Sequence, residues 1–231
     1  MKISGGLIML KRSITDELIK KFEELLEQII YNKKNKNYTK ALDLIDDAFK
    51  YIFRLSIKFF NSFSTENLLE IIKSDGTINA DKYIMMGKLL KEEGDILENQ
   101  HKEQDAFYIY EKSLNLFLNA FLIKNDHCDL ENHFSDIDPI IIKVSPYKLS
   151  RDIENRLIEY YLKVGSFDKA EDTLYEILKD SDFSRECLKN AVKFYETLLL
   201  KSENELNRGN LPREEIIESL NSLNEKLLKN E

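Results

Sequence analysis

The amino-acid sequence predicts an all-α protein, an irregular stack of antiparallel helical hairpins with about eight or nine helices. Three observations predict it. Apolar residues recur at spacings of three and four along most of the chain, only seven Gly and three Pro interrupt 231 residues, and small residues recur at matched places in successive segments. The composition suits such a stack: 42% hydrophobic residues can fill a continuous core, and 33% charged residues give a heavily solvated surface.

Ile14, Leu18, Phe22, Leu25 and Ile29 form one helical stripe, and the polar run Asn32 to Asn37 ends that helix. Tyr38 to Asn61 reads as its antiparallel partner, with Ala41, Leu44, Ile45, Ala48, Ile52 and Leu55 inward. Ser64 is placed to cap a short helix through Ile72, stopped by Ser74-Asp75-Gly76. Asn79 or Asp81 starts a longer helix to about Gln100, in which Gly87 and Gly94 share a face and invite close approach of another helix. Glu103 to Lys124 follows, and then Asn125 to Ser145, the longest stretch without clear periodicity. Ser145-Pro146 is expected to cap and open a helix ending near Gly165. Ser166 to Lys179, Ser184 to Asn207 and Pro212 to Lys229 complete the series, the last with Glu214 and Glu215 in its first turn and Lys226 and Lys229 in its last, as the helix dipole favours.

The N-terminus reads as a short apolar stretch before Lys11 and Arg12, too short to span a bilayer and without a small-residue cleavage site. Codons for Ser4-Gly5-Gly6 can resemble a bacterial ribosome-binding site two codons before Met9. Residues 1–8 are therefore expected to be a translated leader or disordered, and residues 9–231 a single helical domain.

Gly94, Leu97, Ala106, Tyr110 and Ser113 stand at the spacings of the tetratricopeptide pattern, and Tyr110-Glu111-Lys112-Ser113-Leu114 resembles its second-helix wording. Leu157, Tyr161, Gly165, Phe167 and Ala170 form a second match, with Gly165 at the turn and Phe167 expected to pack over it; Leu25, Tyr38, Ala41, Ile45 and Ala48 form a weaker third. Small residues let two helices cross closely, and large apolar ones fill the groove to the next hairpin. Ala41, Ala106 and Ala170 are 65 and 64 residues apart, about twice the usual period, so an irregular tetratricopeptide-like stack is expected. Taken whole, Met9-Leu10-Lys11-Arg12, Tyr38-Thr39-Lys40-Ala41-Leu42 and Leu89-Leu90-Lys91-Glu92-Glu93-Gly94-Asp95 resemble a family of tetratricopeptide-like proteins of Gram-positive bacteria classed as a domain of unknown function. That resemblance implies a fold and no activity.

A metal-dependent enzyme is the sharpest catalytic alternative. Asp126, His127, Cys128, Asp129, Glu131, His133, Asp136 and Asp138 supply ligand chemistry, with His127 and His133 the candidate metal ligands. Their spacing is not that of a helical zinc pair, and an acidic solvated loop accounts for the same residues. Cys187 lies at helical spacing with Ala191 and Phe194 and reads as a buried structural thiol, while His101 reads as part of a solvated turn. Lys33, Lys34, Lys36 and Lys40, interleaved with Tyr31 and Tyr38, read as a solvated turn in place of an RNA contact. No phosphate-binding Gly loop, GxSxG or HExxH occurs, and neither a catalytic residue nor a cofactor is expected.

A formal net charge of −8 opposes phosphate backbones and anionic lipid, so neither nucleic acid nor membrane is expected as a partner. Two cysteines in unlike contexts point to reduced thiols in a cytoplasm. The expected function is a non-enzymatic scaffold that binds a protein or peptide on its concave face through Lys88, Lys91, Asp95, Glu98, Asn99, Asn155, Arg156, Glu159 and Leu162. The other alternative is a ligand-sensing cytoplasmic regulator, weakened because the first hairpin begins at Ile14 and leaves no room before it for a helix-turn-helix. Ile216, Leu220, Leu223 and Leu227 make a coiled-coil-like stripe on the last helix, the expected seam of a homodimer or else a cap on the stack.

Overall fold

A computed structural model describes residues 3–64, 67–68, 79–124 and 128–229, with side chains from Thr15 onward. Among the described residues there are helices and turns and no strand. The chain divides into two compact units, residues 1–148 and 149–231.

In the first unit α1 (Ile3–Lys34) pairs with α2 (Tyr38–Phe53), the turn made by Lys36 in the left-handed region at φ 59. Phe22, Leu25, Leu26 and Ile29 on one side and Ala41, Leu44, Ile45, Ala48, Phe49 and Ile52 on the other are buried, the stripes expected from the 3.6-residue period. The second helix is shorter than its apolar pattern suggested. Arg54 turns left-handed at φ 63 and ends α2, and the chain restarts as α3 (Ile57–Asn61). Two contacts support the break: the Asp46 carboxylate accepts the Ile57 N–H at 2.9 Å, and Phe60 is fully buried beside Phe49 and Phe53. A continuous helix would place Phe60 at a different angle. The expected helix from Ser64 to Ile72 and its Ser74-Asp75-Gly76 stop lie almost wholly outside the described residues.

At the centre of this unit α4 (Ala80–Asn99) pairs with α5 (Glu103–Ile123). Asn79 is the cap of α4, its side chain accepting the Asp81 N–H at 2.8 Å. The close approach read from two glycines is present. A Cβ on Gly94 would stand 2.7 Å from the Tyr110 ring and one on Gly87 3.1 Å from the Phe117 ring, while Ser113 Oγ donates to the Gly87 carbonyl at 2.7 Å. Within the stretch read as aperiodic, the described residues form a 3-10 turn (Glu131–Asp136) and α6 (Ile137–Val144). Ile137, Ile140 and Val144 are buried at spacings of three and four; eight residues are too few for that period to stand out among acidic neighbours.

The second unit opens with α7 (Arg151–Val164), preceded by Ser150 and not by Ser145-Pro146. Ser145 and Pro146 belong to the turn that ends α6, where Tyr147 N–H bonds to the Val144 carbonyl at 2.9 Å. Gly165 then ends α7 at φ 80, a conformation that costs any residue with a Cβ, before α8 (Phe167–Asp180). Phe167 is buried, and its ring packs on Gly209 together with the Gly165 carbonyl. The long helix expected from Ser184 is broken at Leu200 into α9 (Arg185–Leu199) and α10 (Glu203–Arg208). Ser202 and Glu205 form a reciprocal capping box there, and the Arg213 guanidinium donates to the Leu199 and Lys201 carbonyls, satisfying groups left free at the end of α9. In α11 (Arg213–Lys229), Ile216 and Leu223 are buried and Leu220 and Leu227 half-buried, with α9 the main packing partner of this helix. Ala41, Ala106 and Ala170 are all buried, as the hairpin reading requires.

Candidate functional site

Helix α4 is buried on most of its circumference, so its charged residues must find partners inside the first unit. Glu92, 1% exposed, is the centre of this arrangement. Lys33, from the last turn of α1, bonds to both Glu92 and Asp95. Lys88 reaches Asp136 at 2.8 Å and Glu92 at 3.2 Å, and Lys91 reaches Asp95 at 2.9 Å and Glu92 at 3.6 Å. Three ammonium groups thus alternate with three carboxylates, joining α1, α4 and the 3-10 turn. Burial opposes ionisation of Asp95, but the hydrogen bonds from Lys33 and Lys91 outweigh it and hold the carboxyl below its ordinary range. Burial likewise opposes the charge on Lys91, and Glu92 and Asp95 more than restore it.

This network contains much of the face expected to meet a partner. Lys88 is only 8% exposed, Lys91 and Asp95 are half-buried, and Asn99 donates to the Asp95 carbonyl of its own helix at 2.7 Å. Glu98 is the member that opens outward: Lys143 of α6 approaches it to 2.6 Å, and the Tyr110 hydroxyl donates to Asp95 at 2.9 Å and to Glu98 at 3.2 Å. Burial and the two carboxylates push the Tyr110 phenol far up, so it stays a donor. Asn155, Arg156, Glu159 and Leu162 all lie on α7 of the second unit, where Asn155 and Glu159 are exposed, Leu162 is half-buried and Arg156 pairs with Asp152 one turn earlier.

Beside Glu98 is a cleft of about 290 Å³ between α4, α5 and α6. Glu98, Glu103, Tyr110 and Lys143 supply its polar groups, and Ala106, Phe107, Ile142, Pro146 and Tyr147 its apolar walls. Phe107 and Tyr147 stack with ring centroids 4.3 Å apart. Ile142 is 70% exposed and Tyr147 41%, an apolar rim around an ion pair. Sequence reasoning missed this place because α6 was hidden in the aperiodic stretch. Its signal was Ile142 on the face opposite Ile137, Ile140 and Val144, with Lys143 on the flank.

In the 126–138 loop, Asp126 and His127 lie outside the described residues. His133 is half-buried and meets the edge of Phe22 at 5.9 Å; burial and the Lys88 charge lower its pKa against the pull of Asp136 and Glu92. Cys128 points its thiol at Asp81 Oδ1, 3.6 Å away, and burial together with that carboxylate pushes the thiol up to about 12. Asp81 also accepts the Leu130 N–H at 3.0 Å, so it pins the loop. Among the described residues no group of three or more His, Cys, Asp or Glu side chains could hold a metal ion, and no helix is long and apolar enough to cross a membrane.

A family model described as a family of unknown function, DUF6483, matches residues 9–228. No curated protein and no solved structure matches the chain.

Proposed function

This chain belongs to the DUF6483 family of unknown function, and we propose that it works as a non-enzymatic, tetratricopeptide-like scaffold holding a short peptide segment of a partner protein in the cleft beside Glu98. One observation carries the reading: exposed Ile142 and Tyr147 flank a carboxylate and an amine that a ligand can re-pair. Exposed apolar surface is costly to leave in water, and a side chain with an alkyl stem and a cationic head covers it while competing with Lys143 for Glu98. The polar lining holds Glu98 and Glu103 against Lys143, so it favours lysine or arginine over an acidic residue. A guanidinium also stacks on aromatic faces such as Phe107 and Tyr147.

The tetratricopeptide likeness belongs to the same proposal. It is supported by Gly94 against Tyr110, by buried Ala106 and Ser113, and by the left-handed Gly165 before buried Ala170. We place the protein in a bacterial cytoplasm, a reading supported by two free cysteines. The concave face expected from the sequence becomes, in this reading, a local cleft, because Lys88 and Lys91 are engaged inside the unit.

Peptides selected from a random library on the full chain test it. Binders carrying a basic residue next to an aliphatic or aromatic one are expected, with affinity falling at least about tenfold for Tyr147→Ala and for Glu103→Lys. A library that yields no binder, or binders indifferent to both substitutions, rejects the scaffold reading.

A further inference from the structure

A second polar cluster lies where α3 docks on α4 and α5. Glu93 is buried beside Glu92 yet bonds differently: its Oε1 accepts Asn61 Nδ2 at 2.9 Å, while Glu93 Oε2 and Asn61 Oδ1 are both buried without a hydrogen-bond partner. Lys112 of α5 donates to the Asn61 backbone carbonyl at 2.8 Å, which commits it to the C-terminal end of α3. Two orphaned acceptors on two residues already in contact are unfavourable as they stand. One proton resolves both, because a neutral carboxylic acid and a primary amide each offer one donor and one acceptor in matching positions.

We propose that Glu93 is held as the neutral acid in the folded protein, donating Oε2–H to Asn61 Oδ1, and that the resulting two-bond ring is a proton-sensitive latch fastening the C-terminal end of α3 to α4. The other described attachments of α3 do not titrate with it: Phe60 is an apolar plug, and at Asp46, which accepts the Ile57 N–H, burial is outweighed by Lys50 and that N–H, so the carboxyl is held below its ordinary range. Burial raises the Glu93 carboxyl to about 7 against the Asn61 bond and the Lys112 charge. Burial in turn lowers Lys112, opposed by Glu93 and Glu111. Three charges on the other neighbouring elements are paired elsewhere: Lys33 of α1 with Glu92 and Asp95, Lys50 of α2 with Asp46, and Asp136 of the 3-10 turn with Lys88. Lys112 is therefore the one described cation whose charge acts on Glu93.

Carbon-13 carboxyl titration of the full chain, with hydrogen exchange at the α3 amides, tests the latch. The Glu93 resonance is expected to titrate near neutrality while exposed glutamates titrate well below it. Protection at Phe59 and Phe60, corrected for intrinsic exchange, is expected to fall about tenfold between about pH 6 and about pH 8, with amides of α5 unchanged. In Glu93→Gln the amide supplies the missing donor at every pH, and the step is expected to vanish. A Glu93 carboxyl titrating in the ordinary range, or α3 protection that ignores pH in the native protein, overturns the proposal; both readings use the unsubstituted chain and stand even if the variant fails to fold.

Discussion

Gly94→Ala and Gly87→Ala are the same substitution seven residues apart on one helix, so their difference isolates a contact. Alanine is favoured over glycine in a helix interior by about 1 kcal/mol at both places. At Gly94 the new Cβ would stand 2.7, 2.8 and 3.1 Å from three atoms of the Tyr110 ring, where carbon atoms ordinarily rest about 3.5–4.0 Å apart. Tyr110 is 3% exposed and tied by its hydroxyl to Asp95 and Glu98, so the ring cannot swing aside without stretching those bonds. Overpacking of this kind costs about 1–3 kcal/mol, and a weakened bond to a charged acceptor about 1.5–3 kcal/mol more. Set against the propensity gain, Gly94→Ala is expected to lose about 1.5–5 kcal/mol. At Gly87 the nearest atoms are Phe117 ring carbons at 3.1 and 3.2 Å and the Ser113 carbonyl at 3.4 Å, a mismatch of a few tenths of an ångström. Gly87→Ala should therefore stay within about 1 kcal/mol of the parent. Urea unfolding followed by circular dichroism measures both. A Gly94→Ala protein as stable as Gly87→Ala would refute the claim that Tyr110 rests on the bare backbone of α4.

Glu92→Ala leaves Lys33, Lys88 and Lys91 short of the carboxylate they share, and unfolding free energy should drop by about 3–5 kcal/mol; urea midpoints near those of the parent would show the network to be energetically idle. A carboxyl raised in the folded state weakens folding once it ionises, so the Glu93 term is harmless below pH 4.5, grows as pH rises toward about 7 and is constant above. It amounts to on the order of 3 kcal/mol by pH 8, and stability curves of the parent and Glu93→Gln that run parallel across this window would contradict it. Cys187 is half-buried, not buried as its spacing suggested, because it lies in the first turn of α9. Alkylation at pH 8 should modify it well before Cys128: hydrogen bonds from Ser181 and Ser184 lower the first thiol, and burial beside Asp81 raises the second. Mass spectrometry of partly alkylated protein reads the order, and preferential labelling of Cys128 would rule the assignment out.

How much was legible differs from residue to residue. The stripes on α1 and α2, the caps at Asn79 and Gly165 and the glycines of α4 could be read because each depends on neighbours within a turn or two. The breaks at Arg54 and Leu200 could not, because apolar spacing continues across both and the deciding contacts come from Phe60 and Arg213 farther along the chain. The candidate site divides the same way. Glu98 was singled out, while its partners Lys143, Tyr147 and Ile142 lay in a segment too short for its period to show.

From the order of residues alone came the all-helical class and the places where helices must touch, since periodicity and side-chain size are local properties. Tertiary structure alone decided which charges are neutralised. Lys33 looked like a solvated lysine until the fold brought it to Glu92, 59 positions later, and Glu93 looked like its neighbour until burial outweighed its bond to Asn61 and the charge of Lys112. Glu93 has a cation near it as well, Lys112, whose charge offsets its burial only in part. Coulomb energy and desolvation depend on distance and depth in three dimensions, and neither is written in sequence separation.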